Sequence, residues 1–249
     1  MVLAAALVMV PAMAPSQTLA PLGENENYRT CMRLARIAPE KGFEDALQWQ
    51  DHGGGDAAKH CAAVALIHLR QHSEAAKRLE SLAQELPKKT PDNVRAELLA
   101  QAGQAWFDAK NSDRAFSVQS AAIKLNAKNA DLWIDRAMTL ANRGRYKDAI
   151  SDLTSAIALD ANSTDALTLR ASAYRLTGNM AAARQDIVNA LSLAPTHAEG
   201  LLESGILMRL AGETDGARED WLKLIELHNG SPAAETAKRN LEKLDVKTR

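Results

Sequence analysis

Residues 96–229 repeat themselves. With a shift of 34 residues, Ala137 falls on Ala171, Gly144 on Gly178, Ala149 on Ala183, Ala156 on Ala190 and Leu159 on Leu193. The same shift carries Ala171 to Gly205, Gly178 to Gly212, Ala183 to Ala217 and Leu193 to Leu227; run backwards, it finds Gly103, Ala115, Ala122 and Leu125. Four copies follow one another without an insertion. A fixed period of this length with small residues at fixed places marks a repeated helix–turn–helix unit. One such hairpin cannot bury its apolar face alone, so neighbours must stack.

The spacing has a steric cause. The small residue on each first helix (Gly103, Ala137, Ala171, Gly205) lets the second helix approach closely, and Ala115, Ala149, Ala183 and Ala217 meet it from the other side. Trp106, Leu140, Tyr174 and Met208 fill the space from first helices, and Leu153, Ile187 and Trp221 from second helices. The pairs Ile123/Leu125, Ile157/Leu159, Leu191/Leu193 and Ile225/Leu227 form a further stripe expected to pack on the next repeat. Gly144, Gly178 and Gly212 end first helices, where a left-handed backbone suits Gly best.

With Trp133, Tyr146 and Pro195 added, the chain resembles the tetratricopeptide-repeat family, of the type found in the bacterial cell envelope. It departs from the family pattern at Lys110, which stands where the turn Gly belongs, at Leu224, which replaces a small residue, and in keeping the closing Pro only at Pro195. The resemblance implies an all-α, right-handed solenoid of helical hairpins.

Four repeats are expected, over 96–129, 130–163, 164–197 and 198–229. Residues 24–95 read as diverged hairpins. Tyr28, Cys31, Leu34 and Ile37 recur at helical spacing, Pro39 breaks the run, and Gly53-Gly54-Gly55 turns into a helix starting at Asp56. Thr90-Pro91 reads as an N-cap followed by a first-turn Pro, and Ser231-Pro232 repeats that pattern at the start of a capping helix within 230–249. Ala233, Ala237, Leu241 and Leu244 face inward there, leaving a polar outer face.

Apolar residues make up 46% of the chain and aromatics only 4%, which suits closely packed helix pairs and not a β-sandwich. The net charge of −1 argues against a nucleic-acid partner, which needs a basic stripe. Residues 1–20 carry no charge, and their apolar run from Val2 to Val10 is too short for a membrane span. With small residues at Ala12, Ala14 and Ala20, this reads as a signal peptide and places the mature chain in the periplasm or outside the cell. The alternative is a disordered apolar tail on a cytoplasmic adaptor.

Cys31 and Cys61 fall at nearly equivalent places on the first helices of successive hairpins, within reach of a disulfide if those helices lie side by side. Two buried thiols are the alternative. His60, His68 and His72 cluster near Cys61, but a metal site needs three or four convergent ligands, and none is expected here. They read instead as surface and helix-end histidines. An enzyme centred on these cysteines and histidines is the least favoured reading, and no catalytic residue or cofactor is assigned. The triple glycine lacks the Gly-Lys-Ser/Thr of a phosphate loop. Asp152, Asp186 and Asp220 share one repeat position, a regularity that points to a structural role.

The family resemblance implies that first helices line a concave groove. The residues expected there are Gln104, Asp108, Ile134, Met138, Asn142, Thr168, Ser172, Arg175, Leu202, Ile206 and Arg209. Ile134, Met138, Leu202 and Ile206 would form an exposed apolar strip, with Arg175 and Arg209 at its rim. The carboxylate clamp of chaperone adaptors is absent: its positions hold Ala100, Gln104, Asp135, Asp165 and Leu169, none of them cationic. The expected function is non-catalytic. It is an interaction scaffold or assembly factor that takes a segment of a protein or peptide partner into the groove.

Overall fold

The computed structural model describes residue 22 and residues 25–247, so the expected signal peptide lies outside the described residues. Two compact units are resolved, one within residues 13–139 and the other within 140–249. The N-terminal unit contains α1 (Glu26–Ile37), α2 (Pro39–Trp49), a kinked turn (Gln50–Gly54), α3 (Gly55–His68), α4 (His72–Glu85), α5 (Asp92–Asp108), α6 (Ser112–Leu125) and most of α7 (Ala130–Asn142). The C-terminal unit continues with α8 (Tyr146–Leu159), α9 (Thr164–Leu176), α10 (Met180–Leu193), α11 (Ala198–Leu210), α12 (Thr214–Leu227) and α13 (Pro232–Lys247). The architecture is all-α: consecutive helices pair as hairpins, and within each unit each hairpin packs on the next. Among the described residues no helix is long and apolar enough to cross a membrane.

The small-to-large pairing across each hairpin is visible atom by atom at its extremes. A Cβ on Gly205 would lie 2.7 Å from Cδ1 and Cε2 of Trp221, whose ring is fully buried and donates Nε1–H to the Leu202 carbonyl at 3.2 Å. At the other end, a Cβ on Gly42 would lie 2.6 Å from the Ala35 Cα, so α1 and α2 touch backbone to backbone. Ala35 and Ala46 are fully buried in that contact.

The turns after α5, α7, α9 and α11 share one geometry. Gly144, Gly178 and Gly212 have φ of 73°, 84° and 84°, and Lys110 adopts the same left-handed backbone at 62°. Each turn closes with a bond of 2.9 Å from the next residue's N–H to the carbonyl five residues back, as in Asn111 to Trp106 and Asn179 to Tyr174. Lys110 therefore makes the turn that Gly makes elsewhere, at a cost of roughly 1–2 kcal/mol for an L side chain in this region.

Three local expectations need correction. The paired stripe at the end of each second helix packs as a pair only at Ile123 and Leu125, which meet Leu132 and Trp133 of the next repeat; Leu159, Leu193 and Leu227 are 45–48% exposed. Residues two apart point to roughly opposite sides of a helix, which leaves the second leucine of the later pairs turned away from the neighbour. Ile37, read as part of the first apolar stripe, is 69% exposed, because α1 ends there. Thr90 does not cap α5. Extended Pro91 occupies the cap position and Thr90 instead bonds Pro87 in a turn.

The last helix behaves differently from the repeats. Ser231 Oγ accepts the Ala234 N–H at 3.1 Å, a side-chain N-cap. Ala233, Ala237 and Leu244 are buried against Trp221 and Leu224, and Leu224 is itself fully buried. The departure at Leu224 thus fills the interface with α13.

Candidate functional site: the first-helix faces

In the N-terminal unit a line of hydrogen bonds joins three first helices. Tyr28 on α1 meets His60 Nδ1 at 2.7 Å, and His60 Nε2 on α3 meets Gln101 Oε1 on α5 at 2.9 Å. The Gln101 amide then donates to Glu97 Oε1 at 3.3 Å. Because Gln101 presents its oxygen, His60 carries its proton on Nε2 and accepts the tyrosine proton on Nδ1. His60 is 1% exposed; burial depresses it to about 4, against a smaller opposing effect of Gln101. Burial likewise pushes Tyr28 up to about 12. The expectation of surface and helix-end histidines fails for His60, whose partner lies 32 residues away on a hairpin outside the regular period.

This line ends beside a group of carboxylates. Asp135 on α7 is 9% exposed and Glu97 8%. Asp135 is raised to about 7, first by burial and then by the charges of Asp131 and Glu97. No hydrogen bond or ion pair to the Asp135 carboxylate is found among the described residues. Gln119, 2% exposed, donates its amide to the Asp135 carbonyl at 3.2 Å, and its own Oε1 is buried without a partner, as is Thr139 Oγ1.

In the C-terminal unit the corresponding carboxylates are paired. Arg175 on α9 forks onto Glu203 on α11, with Nε–Oε1 at 2.5 Å and Nη2–Oε2 at 3.1 Å. His197, the N-cap of α11, accepts the Gly200 N–H on Nδ1 at 3.1 Å and donates Nε2–H to Asp165 at 2.9 Å. That bond raises His197 and lowers Asp165 from their ordinary values. Arg170 grips Asp186 through two bonds of 2.8 and 2.9 Å, a structural use of the recurring aspartate position.

The residues expected to line a groove separate into classes. Met138, Thr168 and Leu202 are buried, at 5–6% exposure, and Ile134 and Ile206 are half-buried. The expected apolar strip is therefore not an open one: a residue's facing depends on how its helix rolls against its neighbours, and the repeat period does not fix that roll. Gln104 and Asp108 bond each other at 3.2 Å. Ser172 and Arg175 bond at 3.2 Å, and Arg175 is committed to Glu203 instead of standing free at a rim. Arg209 is half-buried with its Nε unpartnered, and Asn142 is exposed.

Cys31 and Cys61 are joined, with Cα atoms 6.1 Å apart. His60 points into the polar line, His68 is exposed and His72 begins α4. Among the described residues no three His, Cys, Asp or Glu side chains converge as metal ligands. A cleft of about 550 Å³ opens between the kinked turn after α2 and the loop before α5, lined by Trp49, Gly54, Ala57, Leu86 and Pro91 among others, and none of the expected groove residues borders it. Sequence reasoning missed Glu97, Gln101 and His60 as one unit; the signal was three polar residues on otherwise alanine-rich helices.

Models of the tetratricopeptide repeat match residues 102–173 and 164–197. No curated protein matches the chain in sequence. Among solved structures, pilF of Pseudomonas aeruginosa superposes with a TM-score of 0.63 at 15% identity, covering 86% of this chain and 98% of that one. MamA gives 0.56 at 18% identity, covering 66% and 92%. YrrB, described as a tetratricopeptide-repeat protein with an unusual peptide-binding site, gives 0.54 at 17%, covering 76% and 97%. Residues 102–197 thus consist of tetratricopeptide repeats, and the successive hairpins of the described residues share the fold of these structures.

Proposed function

We propose that the chain is an exported interaction scaffold that holds a segment of a protein partner on its first-helix faces and performs no covalent chemistry. The observation that carries this reading is the composition of those faces. Buried and half-buried carboxylates, amides and aliphatic side chains recur on successive first helices beside the small and large residues that pack each hairpin. YrrB shares the fold and is described with a peptide-binding site, which supports a peptide-like partner. The Cys31–Cys61 bond supports an oxidising compartment, in keeping with the signal-like residues 1–20. The bond between the two cysteines and the two hydrogen bonds of His60 favour this reading over a thiol- or metal-centred one.

The test is crosslinked capture from the native envelope fraction, with wild type and an Ile134→Asp/Ile206→Asp variant side by side. Both isoleucines are half-buried, so helical content and melting of the variant are checked first. Loss of a captured protein by the folded variant supports the reading; equal capture by both moves the binding surface away from the first helices.

A further inference from the structure

We propose that Glu97, Asp131 and Asp135 form a seat for the guanidinium of an arginine side chain presented by the partner polypeptide. The inference deepens the scaffold reading and rests on it.

The chain itself supplies the template. Phe107 and Asp135 lie 68 residues before Arg175 and Glu203, two periods of the repeat, and occupy the same places on their helices. Arg175 and Phe107 are each the next-to-last residue of their helix, and Glu203 and Asp135 each the sixth. In the C-terminal unit the arginine from the preceding first helix forks onto the buried carboxylate with two bonds. In the N-terminal unit the carboxylate is kept and the arginine is replaced by Phe107, a partly buried apolar side chain packed on the core. One period on from Phe107 and Asp135 the equivalent residues are Ala141 and Leu169, so the pair is dropped as a whole when it is not used. Asp135 alone retains an acid without its base.

The surroundings lack donors. Asp135 is nine-tenths buried without a hydrogen-bond donor among the described residues, and Gln119 Oε1 on α6 and Thr139 Oγ1 one turn further along α7 are buried and unpartnered. Two further carboxylates act on Asp135. Glu97 is held in place by the Tyr28–His60–Gln101 line, so the seat is rigid on one side before any ligand arrives. A buried acid flanked by like charges is unfavourable on its own and is relieved by a cation that brings several N–H groups. A planar fork with five donors fits this need better than an ammonium.

The experiment is an NMR titration of the full-length, disulfide-bonded chain with three blocked pentapeptides: Ala-Ala-Arg-Ala-Ala, its lysine counterpart, and its neutral citrulline counterpart. The arginine peptide is expected to give saturable shifts at Glu97, Asp131 and Asp135, the lysine peptide weaker ones, and the citrulline peptide none. Asp135→Asn should weaken arginine binding about tenfold or more, as the loss of a charge-assisted contact. Phe107→Arg should fill the seat from within and abolish the shifts while helical content is kept. Equal responses to arginine and citrulline, equal responses to arginine and lysine, or an undiminished response in Phe107→Arg would each overturn the assignment. Should Asp135→Asn still capture the partner that Ile134→Asp/Ile206→Asp loses, the scaffold reading survives and the arginine seat does not.

Discussion

The two ends of the array meet the same problem by different chemistry. Among the described residues, no further helical hairpin precedes α1 or follows α13. At the C-terminal end the answer is apolar: Trp221 and Leu224 are fully buried under α13, whose Ala233, Ala237 and Leu244 are buried in turn. At the N-terminal end the side chains are small, with Ala35 and Ala46 at the centre of the α1–α2 contact. Its large apolar side chains, Met32, Phe43 and Trp49, are only partly buried around that contact, and the hairpin is also held by the Cys31–Cys61 bond and the buried Tyr28–His60–Gln101 line. Area burial scales with side-chain size, so an end built of alanine needs cross-links where an end built of tryptophan does not.

The contrast can be broken at either end. Trp221→Ala should have the largest effect. It empties a fully buried site over Gly205 and should cost roughly 3–5 kcal/mol, read as a fall in the urea midpoint of the C-terminal unit. Cys31→Ala/Cys61→Ala follows. The bond closes a separation of 30 residues, and its loss should cost roughly 3–4 kcal/mol by chain entropy. Hydrogen exchange should place that loss in α1–α3 and leave α11–α13 protected as before; uniform loss over both ends would mean that the ends are not independent.

Acid sharpens the comparison, because only the N-terminal end relies on a buried imidazole. His60 is depressed to about 4 from an ordinary 6.5. Below pH 6.5 the unfolded chain takes up a proton that folded His60 refuses, so stability present above that pH is lost as pH falls toward 4. Asp135, raised to about 7, works with the opposite sign: its unfavourable ionisation is relieved over the same descent. Measured in an Asp135→Asn background, the fall between pH 7 and 5 should be roughly 1–3 kcal/mol and should appear first in the amides of α1 and α3. Retained protection there at pH 5 would remove His60 from this role.

Most of this comparison was legible in the chain. Period and small residues located the hairpins, and the equivalent placement of Cys31 and Cys61 anticipated their bond. What could not be read was roll and reach. Met138 and Leu202 sit on first helices at positions where a few degrees of rotation decide between groove and core. Arg175 and Glu203 are 28 residues apart and His60 and Gln101 41, separations at which partner choice depends on how repeats stack. Polar pairs carry no periodic signature when only one copy of the repeat uses them, and the Asp135 surface is such a case.

Leu224 has a consequence for how an array of this kind grows. In the three preceding repeats its place is taken by Ala122, Ala156 and Ala190, each fully buried. A copy of the last repeat pasted into the interior would carry Leu224 to a seam shaped for alanine, and overpacking of that size typically costs 1–3 kcal/mol. Duplication of interior repeats carries no such conflict. The final repeat is thus a terminator written into one side chain, and any lengthening of the protein by gene duplication is steered to the middle of the array, leaving both sealed ends where they are.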